Sequence, residues 1–248
     1  MRITVINLPS RLDRRAQFTA WNARAGIDLT FVDAVLGAQA DRAALARDRV
    51  LDPDFLQLSA GALGNALSHR QIWKEAKSAS EPTLVCEDDA CLRGDFLERA
   101  EGAMAEAAQG WDVIFFGYNT NAAVAVEANN GLKTLLHFDE SVKREPRYFD
   151  SFARLKAPSP ALLQCYQVWG TLCYAVSAKG AGELLETCFP LTAKADIVMF
   201  GQNRVLAPYT LDGVMNVALQ RSPISAFCCF PPLALSSNDV AGSDVVSR

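Results

Sequence analysis

Thr83-Leu84-Val85-Cys86-Glu87-Asp88-Asp89 decides how this chain is read. An apolar run leads directly into three adjacent carboxylates. The apolar part has the length and character of a short buried strand. The acidic part falls where that strand leaves the sheet, and open α/β sheets bind ligands at the carboxyl ends of their strands. Like charges in a row raise the cost of ionising each one. A divalent cation removes that cost, and hard cations favour carboxylate oxygens. Alternation along an extended chain predicts Glu87 and Asp89 on one side and Asp88 on the other. A metal and phosphate site is one reading. The other is a solvated turn, or the acidic start of the next helix.

Moving outward, strand-like runs alternate with helical ones. Ile3 to Leu8 predicts a first strand, and Arg11 to Ala25 a helix with Ser10 as its cap and Gly26 as its stop. Arg11, Arg14 and Arg15 oppose the helix dipole there, which suits either an anionic ligand or plain solvated surface. Leu29 to Val35 predicts a second strand with Asp33 at its exit, a place from which an acid can hold a ribose hydroxyl. No glycine fingerprint follows the first strand, so a dinucleotide site is not indicated. Asp41 to Leu56 reads as loop with a partial helix.

Ser59 to Ala76 reads as a helix whose small residues, Gly61 and Gly64 among them, allow close backbone approach. His69 lies within it, either packed or in a direct role. Gly94 to Ala108 predicts a helix and Trp111 to Phe116 a strand ending at Gly117-Tyr118-Asn119. The ends of this strand and of the acidic one are expected side by side. Leu132 to Phe138 predicts a strand. Asp139 to Pro160 reads as a loop or lid whose basic and aromatic residues suit a phosphate or a sugar ring, or simply solvent. Val168 to Val176 predicts one strand with Gly170 at a close approach, and Ser177 caps a helix from Ala178 to Thr187. Asp196, beside the apolar Ile197-Val198, can serve as a general base or cap a helix starting at Ile197. Val205 to Pro208 predicts a short strand, and Phe227 to Leu235 is apolar enough to pack across the domain. The alternation predicts an α/β fold.

Composition sets limits. The chain has 248 residues, 50% hydrophobic and 21% charged, which is globular rather than disordered. A net charge of -4 does not favour a nucleic-acid surface. The 7 cysteines are scattered and unsuited to a zinc site, and 2 histidines exclude a histidine-rich one. They are expected as small core residues in a reducing compartment. No signal peptide and no run of the ~18 apolar residues of a membrane span are visible. A cytoplasmic protein is expected, with peripheral membrane contact left open.

The ordered motifs resemble glycosyltransferase family 25, the lipooligosaccharide glycosyltransferases and procollagen galactosyltransferases. The resemblance rests on Ile3-Thr4-Val5-Ile6-Asn7-Leu8 with Arg11, Arg14 and Arg15, on Phe31-Val32-Asp33-Ala34, on Gly61-Ala62-Leu63-Gly64 with Ser68-His69, and on Glu87-Asp88-Asp89. Gly170 to Ser177 with Gly180-Ala181, Asp196 and the terminal Ser243-Asp244-Val245 extend it. The chain departs at Ala62 and Asn65, where the family often has an acidic residue and a cysteine. Residues 118–161 follow no clear family pattern and read as a variable loop or acceptor-side insertion.

The resemblance implies one GT-A-like domain over 1–248 with a Rossmann-like, mostly parallel central sheet. It implies a UDP-hexose donor, such as UDP-galactose, and a saccharide or glycolipid acceptor of the lipooligosaccharide kind. Asp89 is the implied metal ligand, for manganese or else magnesium. Glu87 or Asp88 would hold ribose or a metal-bound water. Asn7, Arg11, Arg14, Arg15 and Asp33 would contact the nucleotide, with His69 shaping the pocket. Inversion at the anomeric carbon needs a general base, and Asp196 is the candidate. A metal-dependent phosphohydrolase or nucleotidyltransferase, and a non-catalytic nucleotide or sugar binder of the same fold, are the readings from other classes.

Overall fold

The computed structural model describes residues 1–55, 58–107, 110–127 and 131–237. Twenty elements follow in chain order: β1 (Arg2–Asn7), α1 (Leu12–Asn22), β2 (Asp28–Asp33), α2 (Arg42–Arg47), α3 (Ala60–Ala76), β3 (Thr83–Glu87) and β4 (Cys91–Leu92). Then come α4 (Phe96–Glu106), β5 (Val113–Gly117), β6 (Val124–Glu127), β7 (Lys133–Leu136), α5 (Tyr148–Phe152), β8 (Ala161–Gln167) and β9 (Cys173–Val176). The last are α6 (Ala178–Cys188), β10 (Ile197–Met199), β11 (Arg204–Leu206), α7 (Leu211–Arg221), β12 (Ala226–Phe230) and β13 (Ala234–Leu235).

Nine strands form the main path of one sheet in the order β2-β1-β3-β9-β5-β12-β8-β6-β7, with β4 and β13 attached at its side. β5 and β9 are buried throughout, which is why their sequences are unbroken apolar runs rather than alternating ones. Alternation instead sorts β3 between two layers. Val85 packs with Leu63, Trp73, Leu184 and Val214 on the face covered by α3, α6 and α7. Leu84 and Cys86 pack with Phe18, Phe96 and Ala100 on the face covered by α1 and α4. The result is a helix–sheet–helix sandwich of Rossmann-like α/β class.

β1, β2 and β3 are parallel, as are β5 and β12. β9 runs antiparallel between β3 and β5. The acidic strand end and the Gly117 strand end are therefore not neighbours, as expected from sequence, but flank the start of β9. That inserted strand brings Gly170 and Thr171, just before β9, to the carboxyl ends of β3 and β5.

Several sequence expectations change here. Val168 to Val176 is not one strand. Buried Asn216 accepts from Val168 N at 2.8 Å and donates to Val168 O at 2.7 Å, standing in for a neighbouring strand. The chain then turns at Gly170, at φ +81. α1 has no side-chain cap from Ser10; its N-cap is Arg11. Ile197 begins a strand, not a helix, so Asp196 caps nothing there. Residues 118–161 carry β6 and α5 besides β7, which falls within the strand expected over Leu132 to Phe138. Phe227 lies in β12, a strand between β5 and β8.

Other expectations hold. Ser177 caps α6 through its side chain. All 7 cysteines are free and buried. The tight fit of α3 is visible at Gly64, where a Cβ would lie 2.4 Å from Val35 O, and at Gly37, where one would lie 1.9 Å from Ala60 O. None of the described helices is long and apolar enough to cross a membrane.

Candidate functional site

A cleft of about 690 Å³ opens over the carboxyl ends of β1 and β3. One wall is made by residues 34–38 and the start of α3, including Ala60, Gly61 and Gly64. The floor holds Glu87, Asp88 and Asp89, with Arg14 above them. The far wall is Asn119, Asn121, Gly170, Thr171, Thr210, Asp212 and Ser236.

The three consecutive carboxylates occupy three different electrostatic settings. Glu87 Oε1 accepts from Asn65 Nδ2 at 3.1 Å and from the Thr171 hydroxyl, and His69 Nε2 lies 3.3 Å away. Burial raises the Glu87 carboxyl, but the bonds from His69, Thr171 and Asn65 outweigh it, and the net shift is downward. Glu87 is a fixed carboxylate. Asp88 accepts from Asn7 Nδ2 at 2.7 Å on Oδ2 and from Arg14 Nη1 at 3.1 Å on Oδ1. Its burial still wins, and its carboxyl is raised. With both oxygens engaged, Asp88 ties β1 and α1 to β3.

Asp89 is the least satisfied. Its Oδ2 accepts from the Ser236 hydroxyl at 2.9 Å, while Oδ1 is buried with no hydrogen-bond partner among the described residues. Burial, followed by the charge of Glu87, pushes its carboxyl up to about 6. An orphaned buried carboxylate oxygen is costly unless a ligand completes it. Among the described residues no group of three or more His, Cys, Asp or Glu forms a metal cage. The orphaned Asp89 oxygen, with Glu87 beside it, could take a hard cation completed by substrate phosphates, an arrangement of the magnesium kind.

His69 is fully buried behind this floor. Trp73 Nε1 donates to the Tyr174 hydroxyl at 2.8 Å, and that hydroxyl lies 2.8 Å from His69 Nδ1. The chain from Trp73 through Tyr174 and His69 ends on Glu87. His69 thus acts on the cleft through Glu87 and does not reach it.

The structure brings Arg14, Glu87, Asp88 and Asp89 to the cleft lining and leaves the other expected residues behind or outside it. Asn7 supports Asp88 and Arg11 O from within. Arg11 pairs with Asp13 at 3.0 Å. Arg15 stacks on Phe31, 4.4 Å from the ring centroid. Asp33 is exposed at the end of β2. Asp196 is exposed, and its carbonyl accepts from Arg221 Nη2 at 2.9 Å.

The 139–160 segment packs rather than lines the cleft. The Lys143 ammonium is held by Thr120, Glu140 and Ser236 O, at 2.6, 2.6 and 2.8 Å. Burial lowers its pKa, although Glu140 and Asp89 oppose the shift. Phe149 lies on Trp21 with centroids 5.3 Å apart.

Sequence reasoning missed Asp212. It stands in the first turn of α7, where Oδ2 accepts from Gly170 N at 2.7 Å and Oδ1 from Gly213 N at 2.9 Å and the Thr210 hydroxyl. Consecutive residues thus join the far wall to the floor: Gly170 binds Asp212 and Thr171 binds Glu87. The only sequence signal was Thr210 two residues before an acid at a helix start.

A family model described as glycosyltransferase family 25 (LPS biosynthesis protein) matches residues 1–199. The chain belongs to glycosyltransferase family 25. No curated protein matches the chain. The matched span of this family 25 glycosyltransferase contains Arg14 and all three floor carboxylates. Asp212 and Ser236, which complete the far wall, lie beyond it. Ser243-Asp244-Val245 falls outside both the matched span and the described residues.

Proposed function

We propose that this glycosyltransferase moves a hexose, galactose or glucose, from a UDP-sugar to a saccharide or glycolipid acceptor. The family's description as an LPS biosynthesis protein supports a lipooligosaccharide acceptor. The carrying observation is the buried, unpartnered Oδ1 of Asp89 in a cleft that also contains Asp212.

Asp89, with Glu87 beside it, would hold a divalent cation, manganese by family resemblance. Such an ion would neutralise charge on the departing diphosphate. Glu87 lines the cleft, and Oε2 is the oxygen that would be left to a ligand, because Oε1 already takes its donors from Asn65, His69 and Thr171. A nucleotide hydroxyl can donate to that oxygen. Asp88 holds Arg14 at the cleft, where the guanidinium can meet phosphate oxygens.

A general base must lie within hydrogen-bond reach of the proton it removes. We assign that role to Asp212 rather than to Asp196, which does not line the cleft. Three donors keep the Asp212 carboxylate oriented from the far wall. Asp212 would take the acceptor hydroxyl proton as that oxygen bonds to the anomeric carbon. The bond from that carbon to the diphosphate breaks in the same step, its electron pair leaving with the phosphate oxygen. One displacement inverts the centre.

The test is calorimetric titration with UDP and a panel of UDP-sugars, with and without manganese. Metal-dependent binding of a UDP-hexose is expected. A folded protein that binds no nucleotide under either condition would overturn the proposal.

A further inference from the structure

The far wall of the cleft has a chemistry that bears on which acceptors it admits. Asn119 lies directly against Gly170, where a Cβ would come within 2.5 Å of the Asn119 Oδ1. The same Gly170 donates its N–H to Asp212 Oδ2 at 2.7 Å. Asn119, Gly170 and Asp212 therefore form one continuous surface, pinned by a bond of 2.7 Å from Asn119 N to Trp169 O. Asn121 continues that surface toward the rim. Neither the Asn119 nor the Asn121 carboxamide is engaged by a partner among the described residues. Both residues line the cleft, and each carboxamide carries a donor and an acceptor, the pairing that a sugar hydroxyl can satisfy in both directions.

The charges around this surface are nearly all of one sign. The described lining carries Glu87, Asp88, Asp89 and Asp212 against Arg14 alone. That guanidinium is already paired with Asp88 at 3.1 Å. The ammonium of Lys143 is directed at Thr120, Glu140 and Ser236 O, not at the cleft. Recognition of a carboxylate or phosphate ordinarily uses Arg or Lys in charge-assisted bonds. Beside Asp212 the described wall offers only neutral amides and hydroxyls, with a carboxylate that repels anions.

We infer that the acceptor subsite beside Asp212 takes a neutral, hydroxyl-bearing terminal sugar and rejects acceptors whose terminal sugar carries a carboxylate or phosphate. The inference rests on the reading of this cleft as the transfer site. Asn119 and Asn121 are its specificity-determining residues.

Saturation-transfer NMR in the presence of UDP and manganese tests it. The probes are methyl glucoside, the corresponding uronic acid and the corresponding primary phosphate ester. The neutral glycoside should bind at least about tenfold more tightly than either anion, equivalent to about 1.4 kcal/mol. Asn121→Lys, at an exposed position that tolerates the change, should reduce that preference severalfold. Anion binding equal to or tighter than neutral binding, absence of neutral binding while UDP binds, or an unchanged preference in Asn121→Lys would overturn the inference. UDP titration of the same sample separates the two failures. A lost preference with UDP bound sinks the subsite, and an intact preference without UDP binding sinks the nucleotide-sugar reading instead.

Discussion

Asp196 and Asp212 show how far a single residue's environment decides its use. Both are acids next to apolar residues, and sequence pattern does not rank one over the other. Asp196 is exposed, whereas Asp212 is braced by two backbone N–H groups and a hydroxyl at the cleft wall. Asp212→Asn keeps the side-chain shape and removes the proton acceptor. It should lower kcat by about 10²–10⁴, the usual span for a general base, while leaving UDP-sugar affinity within about twofold, since chemistry and not donor binding is affected. Asp196→Asn should leave both constants near wild type. Steady-state kinetics and donor titration on the two variants check this; the reverse pattern would return the base role to Asp196. The acidic triplet itself was legible, because three carboxylates after an apolar strand announce a strand end. Its division into a fixed acceptor, an internal tie and an orphan was not, because Asn7, Asn65, Ser236 and Thr171 come from four separate parts of the chain.

At the scale of elements, local patterns were read well and long-range ones were not. The cap at Ser177 follows from chemistry within three residues. The break after Val168 depends on Asn216, 48 residues away, and no local pattern encodes it. Buried Asn22 does the same for β4, donating to Ala90 O and accepting from Leu92 N, both at 2.8 Å. Glycines in helices give the sharpest test of element packing. Gly64 in α3 faces the backbone of Val35 and Gly37, so a methyl group has nowhere to go. Gly102 in α4 has nothing within 4 Å of a Cβ. Gly64→Ala should cost about 1–3 kcal/mol through overpacking and move the wall formed by residues 34–38. Gly102→Ala should instead stabilise by about 0.5–1 kcal/mol through helix propensity. Urea unfolding of both variants should therefore give opposite signs. A shared sign would mean that the α3 contact is looser than its geometry indicates.

Over the whole molecule, the insertion of β9 explains why the cleft has two walls. A strand entering between β3 and β5 carries Gly170 and Thr171 to the carboxyl edge, so the floor is linked through them to α7. The α/β class was readable from alternation, but strand order was not, since periodicity says nothing about which strands pair. The arrangement concentrates negative charge at the floor, with a consequence for global stability. Asp89 has an ordinary value of 3.8 and a folded value of about 6. Between those values the folded chain binds more protons than the unfolded one, so this group's contribution falls as pH rises through the window. Above about pH 6 the folded state carries an ionised Asp89 that it disfavours. Asp89→Asn removes that charge and should raise unfolding free energy at pH 8 on the order of 2 kcal/mol. Ser236 can still donate to the amide oxygen. The gain should fade as pH drops below about 6 and be lost only below the ordinary value of 3.8, where Asp89 is neutral in both the folded and the unfolded chain. The same variant should lose metal-stimulated turnover and the rise in melting temperature that manganese gives the wild type with UDP. Denaturant unfolding at pH 8 and pH 4, with melting curves with and without manganese, reads all of these. A variant that is less stable than wild type at pH 8 would show that Asp89 is satisfied in the folded state, and the argument for a cation at its open oxygen would fail with it.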